Sequence, residues 1–443
     1  MKMYAPWEKA FKKVATPLEH FIHAQTTTGI ILMCMTVLAL VLANSPLTQD
    51  YADFFHTEVE FAVGTWYLEH TIHHWINDGL MAIFFFMIGL EIKREILVGE
   101  LSNLKVAILP ILAAIGGMVL PALIYLLINY GSEGASGWGI PMATDIAFAI
   151  SALVLLGKRI APALVTFLVA LAIVDDLGAV IVIAVFYTEQ IHLLPLALAG
   201  VSFLIMVLFN RVGIHMILPY FIVGLFMWFF MLESGVHATI AGIIAAMAIP
   251  SKPKRAPTDF TTHTKNLLNE YDTYPIATDH TMHEKQKAIL LNIKDTIDSV
   301  GSPSAKLEHD LHLPVALIVI PLFALANAGI SIDFSSVGET ILKPVSLGII
   351  AGLLLGKILG IAGVSYIAIK IGIAKLPQGS SMSQLLGVAS LGGIGFTMSI
   401  FVADLAFAGN DSLIFQAKIG ILCASFIAGL FGYLWLRFWS HKK

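Results

Sequence analysis

The chain has 443 residues, of which 57% are hydrophobic and only 13% charged, about half the charged share of an average soluble domain. Net charge is −4 and no basic stripe stands out, so nucleic-acid binding finds no support. Cys34 and Cys423 stand in apolar runs near opposite ends, which implies no disulfide framework and leaves a membrane protein as the class.

A spanning helix needs about 20 mostly apolar residues. That criterion predicts about twelve spans, at 28–45, 76–92, 106–128, 136–156, 162–186, 193–210, 214–231, 235–250, 313–331, 344–368, 383–404 and 413–436. The chain then divides into an N-terminal segment 1–27, eight spans within 28–250, a long loop 251–312, four spans within 313–436 and a tail 437–443. The first span follows Lys9, Lys12 and Lys13, but it is long and lacks a small-residue cleavage site, so a span is expected there and not a signal peptide. Cytoplasmic loops carry the excess of Lys and Arg. With the N-terminus inside, all 26 basic residues fall in inner segments except Lys343, Lys357 and Lys418, so both termini are predicted cytoplasmic.

After the first span, Asp50, Asp53, Glu58, Glu60 and Glu69 mark an outward loop. Within it HTEVEFAVGTWYLEH, His56 to His70, alternates polar and apolar residues around Gly64, a β-hairpin signal. An isolated hairpin is only marginally stable, so pairing with a second subunit is predicted; an ordinary surface loop is the competing reading.

The span at 136–156 contains GWGIPMATDIAFAI, with Gly139 and Pro141 just before Thr144 and Asp145. The next carries Asp175 and Asp176 side by side in APALVTFLVALAIVDDLGAVIVIAVFYT. Each carboxylate near the bilayer centre costs about 2.5–3.5 kcal/mol even on insertion scales. Asp78, His237 and Lys357 are the other deep ionisable residues. Any one of them has a plain reading as a helix-pairing group; three aspartates and a lysine together point to use.

The loop 251–312 is polar and Pro-flanked. Its most regular piece places Ile289, Leu290, Ile293, Ile297 and Val300 on one face of an amphipathic helix, which suits a peripheral or membrane-surface role. His280, His283, His309 and His312 lack companion ligands at metal spacing and read as solvated histidines. TMHEKQK resembles the start of a zinc-protease motif, but Lys287 stands where the second histidine belongs.

In a late span QLLGVASLGGIGFTMSI brings Gly387, Gly392, Gly393 and Gly395. Gly and Pro weaken regular helix here and at 139–145, and interrupted segments in corresponding positions of two halves mark a transporter's midplane site. Opposed half-helix ends would then face each other, and Asp145 and Lys357 are suited to neutralise them; close packing through small residues is the plain alternative for the glycines. Asp175 and Asp176 point roughly 100° apart on a helix, so one can face an ion and the other the wall. Carboxylates, a hydroxyl and backbone oxygens suit a small hard cation. Protons compete for the same oxygens, and competition at a site that alternates between two faces is exchange.

ATDIAFAI, LAIVDDLGAVIVIAVFYT, SGVHATIAG, IPLFALANAG, GLLLGKILGI and GGIGFTMSIF together resemble the NhaA-type sodium/proton antiporters of bacterial inner membranes, from about Trp75 to the last span. The resemblance implies an all-α polytopic fold of twelve helices with inverted-topology repeats and two crossed broken helices, an architecture for which this family is itself a standard example. It implies electrogenic exchange of Na+ or Li+ for H+. The partners expected are these ions, membrane lipid and, through the outward hairpin, a second copy of the chain; no cofactor and no enzymatic activity are expected. By motif, Asp175 and Asp176 are the ion and proton carriers, with Asp176 the direct cation ligand. Thr144 and Asp145 belong to the first broken helix, Gly393 and Gly395 to the second. Lys357 either carries a proton or pairs with an aspartate.

Family pH regulation maps onto Glu91, Arg94, Glu95, His237 and Glu308, although by chemistry alone GLEIKRE is an ordinary charged helix end and His237 a core histidine. Two departures stand out: Ile358 replaces a proline that often follows the late lysine, and the loop before KLEH is longer than usual. From residues alone, a cation-coupled symporter would use the same carboxylates. An intramembrane aspartyl protease needs carboxylates from separate helices, which VDDLG does not offer, and a channel has no need of an occluding Asp and Lys set.

Overall fold

The computed structural model describes residues 25–63, 66–188, 191–254, 257–274, 283–332 and 337–439. Lys2, Lys9, Lys12 and Lys13, the Gly64 turn, Arg255, His280 and the end of the tail at 440–443 lie outside the described residues. The fold is an all-α bundle with one small antiparallel hairpin.

Helix α1, Gln25–Ala43, turns by 112° into the surface helix α2, Thr48–His56. The hairpin follows, with β1 at Glu58–Val63 paired to β2 at Trp66–Thr71 and Glu60 opposite Glu69. This is the hairpin expected from the alternating pattern. A continuous helical run over 72–97 opens with a short α-helical turn, Ile72–His74, passes through a π-helical stretch, Trp75–Leu80, and continues as α3, Met81–Leu97. Then come α4, Leu104–Asn129; a 3-10 segment, Glu133–Met142; α5, Ile146–Val154; α6, Pro162–Phe186; α7, Leu193–Val212; α8, Ile217–Glu233; and α9, Thr239–Ala248.

The long loop folds as two paired helices, α10 at Pro257–Asp272 and α11 at Glu284–Val300. Helix α12, Pro303–Asn327, starts ahead of the apolar run at 313 because Ser302 caps it and Pro303 takes the first position, where its missing N–H costs nothing. The chain closes with α13, Pro344–Ile371; α14, Met382–Leu391; α15, Phe396–Ala406; and α16, Asp411–Phe438. Among the described residues seven helices are long and apolar enough to cross a membrane, or nine if α1–α2 and α14–α15, bent by 47°, each count as one span.

The packing that matters for the site is between α4 and α13. Glycines at 352, 356 and 360 recur every fourth residue and form one bare ridge on α13. A Cβ on Gly356 would strike the Pro121 backbone, and one on Gly360 the Gly116 backbone, so the two helices touch main chain to main chain, as small-residue seams allow in membranes. Lys357 sits on this helix between two π-helical stretches, Gly352–Gly356 and Ile358–Gly363. The helix therefore runs on through Ile358, and the local widening that π turns supply is present without the proline.

Candidate functional site

Two interrupted segments cross in the bundle interior. In the first, the 3-10 segment ends at Met142, Ala143 and Asp145 are extended, and α5 begins at Ile146. Pro141 removes a backbone donor, and tyrosines from neighbouring helices hold the irregular chain instead. The Tyr187 hydroxyl accepts from Gly139 N–H (3.1 Å) and donates to the Ser136 carbonyl (2.9 Å), while Tyr125 donates to the Gly134 carbonyl (2.7 Å). In the second, the chain unwinds over 392–395 between α14 and α15. Glycine is required there: a Cβ on Gly393 would run into the Leu353 carbonyl of α13, and one on Gly395 into the Ser399 hydroxyl.

Asp145 joins the two. One carboxylate oxygen caps α5 by accepting from Phe148 N–H (3.1 Å). The other accepts from Thr397 N–H (3.1 Å) and from the Thr397 hydroxyl, in the first turn of α15. A single carboxylate thus caps two half-helices and offsets the positive ends of both. Two more bonds tie the crossing, Asp145 N–H to the Ile394 carbonyl (2.6 Å) and the Ser399 hydroxyl to the Ile140 carbonyl (2.9 Å), and the Thr144 hydroxyl lies 2.8 Å from the Gly392 carbonyl.

Lys357, 0% exposed, enters from α13. Its ammonium donates to the Met142 carbonyl, to Asp175 Oδ2 and to the Thr144 hydroxyl (2.9 Å). The Met142 carbonyl ends the 3-10 segment, so Lys357 neutralises a negative helix end as Asp145 does the positive ones. Thr144 has a single hydroxyl proton and lies 2.7 Å from Asp175 Oδ2, so it donates either there or to Gly392.

Asp176 is different. It is 1% exposed, and neither of its carboxylate oxygens, nor Asp175 Oδ1, has a hydrogen-bond partner among the described residues. A bare buried carboxylate is costly enough that it takes a proton or a cation. The acceptors left without a partner, both oxygens of Asp176 and Asp175 Oδ1, are carboxylate oxygens, a donor type matched to a hard cation and poorly to a soft metal. No group of three or more His, Cys, Asp and Glu among the described residues is arranged to hold a resident metal.

The structure gathers four of the five residues mapped to regulation. Arg94 bridges Glu308 (2.8 Å), Glu95 (3.0 Å) and, at 4.0 Å, Glu91. Glu95 also accepts from Glu100 N–H (2.9 Å), and Glu91 lies within electrostatic reach of Asp176. His237 stands apart, with Nε2 donating to the Tyr187 carbonyl (2.7 Å). Asp78 is likewise away from the crossing, 3.3 Å from His74. Near it His70, in the hairpin, is held below the ordinary imidazole value chiefly by burial. Lys418 pairs with Asp404 (3.2 Å). Thr397, Ser399 and Tyr187 escaped the sequence reading. Only Thr397 left a trace, as a hydroxyl residue just past the glycine break.

Comparison with known proteins gives a concordant result. The family model described as "Na+/H+ antiporter 1" matches residues 19–436. The chain is 70% identical over 438 residues to the Na(+)/H(+) antiporter NhaA of Sulfurimonas denitrificans, covering 99% of each. It is 48% identical to the Na(+)/H(+) antiporter NhaA 1 of Saccharophagus degradans, covering 97% of this chain and 93% of that protein. With the Na(+)/H(+) antiporter NhaA of Acidithiobacillus ferrooxidans it shares 46% identity over 97% of this chain and 98% of the other.

Proposed function

The chain belongs to the Na+/H+ antiporter 1 family, and from that premise we propose how it works: a multi-pass protein of the bacterial inner membrane, it exchanges Na+ or Li+ for H+ at Asp175 and Asp176. The observation that carries this assignment is the partnerless buried carboxylate of Asp176 beside the Asp175–Lys357 ion pair. With a proton on Asp176 the site is satisfied. With the proton gone, a dehydrated cation takes its place among the same oxygens, and the two cargoes exclude each other. The three carboxylates and one ammonium carry two excess negative charges when all are ionised, which leaves room for more than one proton per cation and so for an electrogenic cycle.

Lys357 has two distinguishable uses. If it carries a transported proton, Lys357→Gln changes the charge moved per cycle; if it only neutralises Asp175 and the Met142 end, the charge per cycle stays and the rate falls.

The twelve-helix inverted-repeat architecture is supported by element order. The nine apolar spans, the run over 72–97 and the shorter apolar helices α8 and α9 make twelve crossings. The two broken segments are each the middle member of a trio, α4, 133–154 and α6 in one half, α13, α14–α15 and α16 in the other. An even number of crossings and the placement of Lys and Arg support a cytoplasmic position for both termini. The Arg94 cluster then lies at the cytoplasmic mouth, where protonation of its glutamates would retune access to Asp176, and the hairpin lies outside. There its open strand edges suit pairing with a second copy.

Everted vesicles provide the test. Sodium should dissipate a respiration-driven proton gradient in wild type and not in Asp176→Asn. A full response in a well-inserted mutant would remove Asp176 from the site.

A further inference from the structure

The helical hairpin of the long loop is incomplete as a folding unit. Helices α10 and α11 pack against each other, burying Leu267, Ile289, Gln286 and Thr296, but two helices of 16 and 17 residues offer only one shared seam. Leu268 on α10 stays 48% exposed, and Leu290 and Ile297 on α11 stay 41% and 56% exposed. The apolar face read from sequence is thus split: Ile289, Ile293 and Val300 turn towards the seam or its edge, while Leu290 and Ile297 turn away.

What covers them is indicated by spacing and by the base of the hairpin. Lys287, Leu290, Lys294 and Ile297 follow one another at steps of three, four and three, so they form a single ridge in which lysine and apolar residue alternate. Asp295 lies about 140–160° round the helix from Leu290 and Ile297; Leu291, also exposed, stands one turn from both Lys287 and Lys294 and flanks the ridge on its Asp295 side. Lysines beside apolar side chains bury their stems and raise their ammoniums towards phosphate. The base is closed: Ser304 N–H donates to the Pro250 carbonyl (3.1 Å), and only Gly301 and Ser302 separate α11 from α12. The hairpin is therefore tethered where two membrane helices, α9 and α12, emerge on the same side.

We propose that this hairpin lies along that membrane surface, with Leu268, Leu290 and Ile297 in the headgroup–acyl boundary and Lys287 and Lys294 against anionic phospholipid headgroups. The prediction turns on Leu290. It stands about 15 Å along α11 from Val300 at 1.5 Å per residue, so a hairpin projecting into water would carry it clear of the lipid, whereas one lying flat places it at the same depth as Ile297.

The test uses the full chain with Cys34→Ser and Cys423→Ser, spin-labelled singly at Leu290→Cys, Ile297→Cys or Asp295→Cys, in vesicles of phosphatidylglycerol and phosphatidylethanolamine. Labels at 290 and 297 should be open to lipid-dissolved oxygen and closed to a water-soluble nickel chelate, with the reverse at 295. Lys287→Glu with Lys294→Glu, or vesicles of phosphatidylcholine alone, should restore chelate access at 290. Chelate access at 290 in the anionic vesicles would overturn the proposal. So would protection at 290 that persists in detergent or follows the dimer fraction, since the face would then rest on protein.

Discussion

Replacing Thr397 by valine should loosen the crossing of the two broken segments without touching an ion ligand. The hydroxyl gives Asp145 Oδ2 one of its two donors, the other being Thr397 N–H at 3.1 Å. Both residues are buried, so water does not take its place. A hydrogen bond to a charged group contributes about 1.5–3 kcal/mol, and each 1.4 kcal/mol is about tenfold in an equilibrium. Thr397→Val should therefore favour the untied crossing by roughly one to two orders of magnitude. Purified protein should unfold at lower temperature or denaturant, and exchange in vesicles should fall in proportion to the misaligned fraction while apparent sodium affinity changes less. Thr397→Ser, which keeps the hydroxyl, should stay close to wild type on both measures. A valine variant as stable and active as wild type, or a serine variant as impaired as valine, would refute the role assigned to this hydroxyl.

Gly393→Ala should abolish correctly folded protein or its exchange, because the new methyl meets the Leu353 carbonyl, whereas Gly363→Ala on the same helix as Lys357, with open space beside it, should be tolerated; equal behaviour of the two would show that the break is not sterically set. Glu91→Ala and Glu308→Ala should shift the pH profile of exchange, since both belong to the Arg94 cluster, and an unmoved profile in both removes that cluster from regulation. Deleting Thr261 to Ser299 should preserve exchange because no group at the crossing comes from that stretch; loss of activity in well-inserted protein would give the loop a part in transport.

Long apolar runs were the most legible part of the sequence. The span expected at 162–186 is α6 residue for residue, and 193–210 lies within α7. Hydropathy failed where helices are not apolar. Helix α10, with its run TDFTTHTKN, has no periodic apolar stripe and passed as loop, and α12 begins in the polar turns at 303 through cap chemistry that a hydropathy window ignores.

At the site, the cost of burying charge made Asp145, Asp175, Asp176 and Lys357 conspicuous; the structure joins Asp175 and Lys357 to Thr144 through direct hydrogen bonds, while Asp145 bonds across to Thr397 and Ile394. Thr397 carries no such cost and looks like any small polar residue until the fold places it against a carboxylate 252 positions away. The regulatory mapping divides in the same way. Arg94, Glu91 and Glu95 are neighbours in sequence and Glu308 joins them by an ion pair, but His237 was grouped with them by resemblance alone and sits instead on the Tyr187 carbonyl.

The central claim is that a cation and a proton compete for Asp176, and purified protein in weakly buffered detergent tests it directly. Adding sodium at constant volume should release protons from wild type, to an extent that declines once the starting pH is high enough to empty the carboxylates, and should release none above background from Asp176→Asn. Sodium binding to wild type without proton release, or the same release from a folded Asp176→Asn variant, would contradict a shared site.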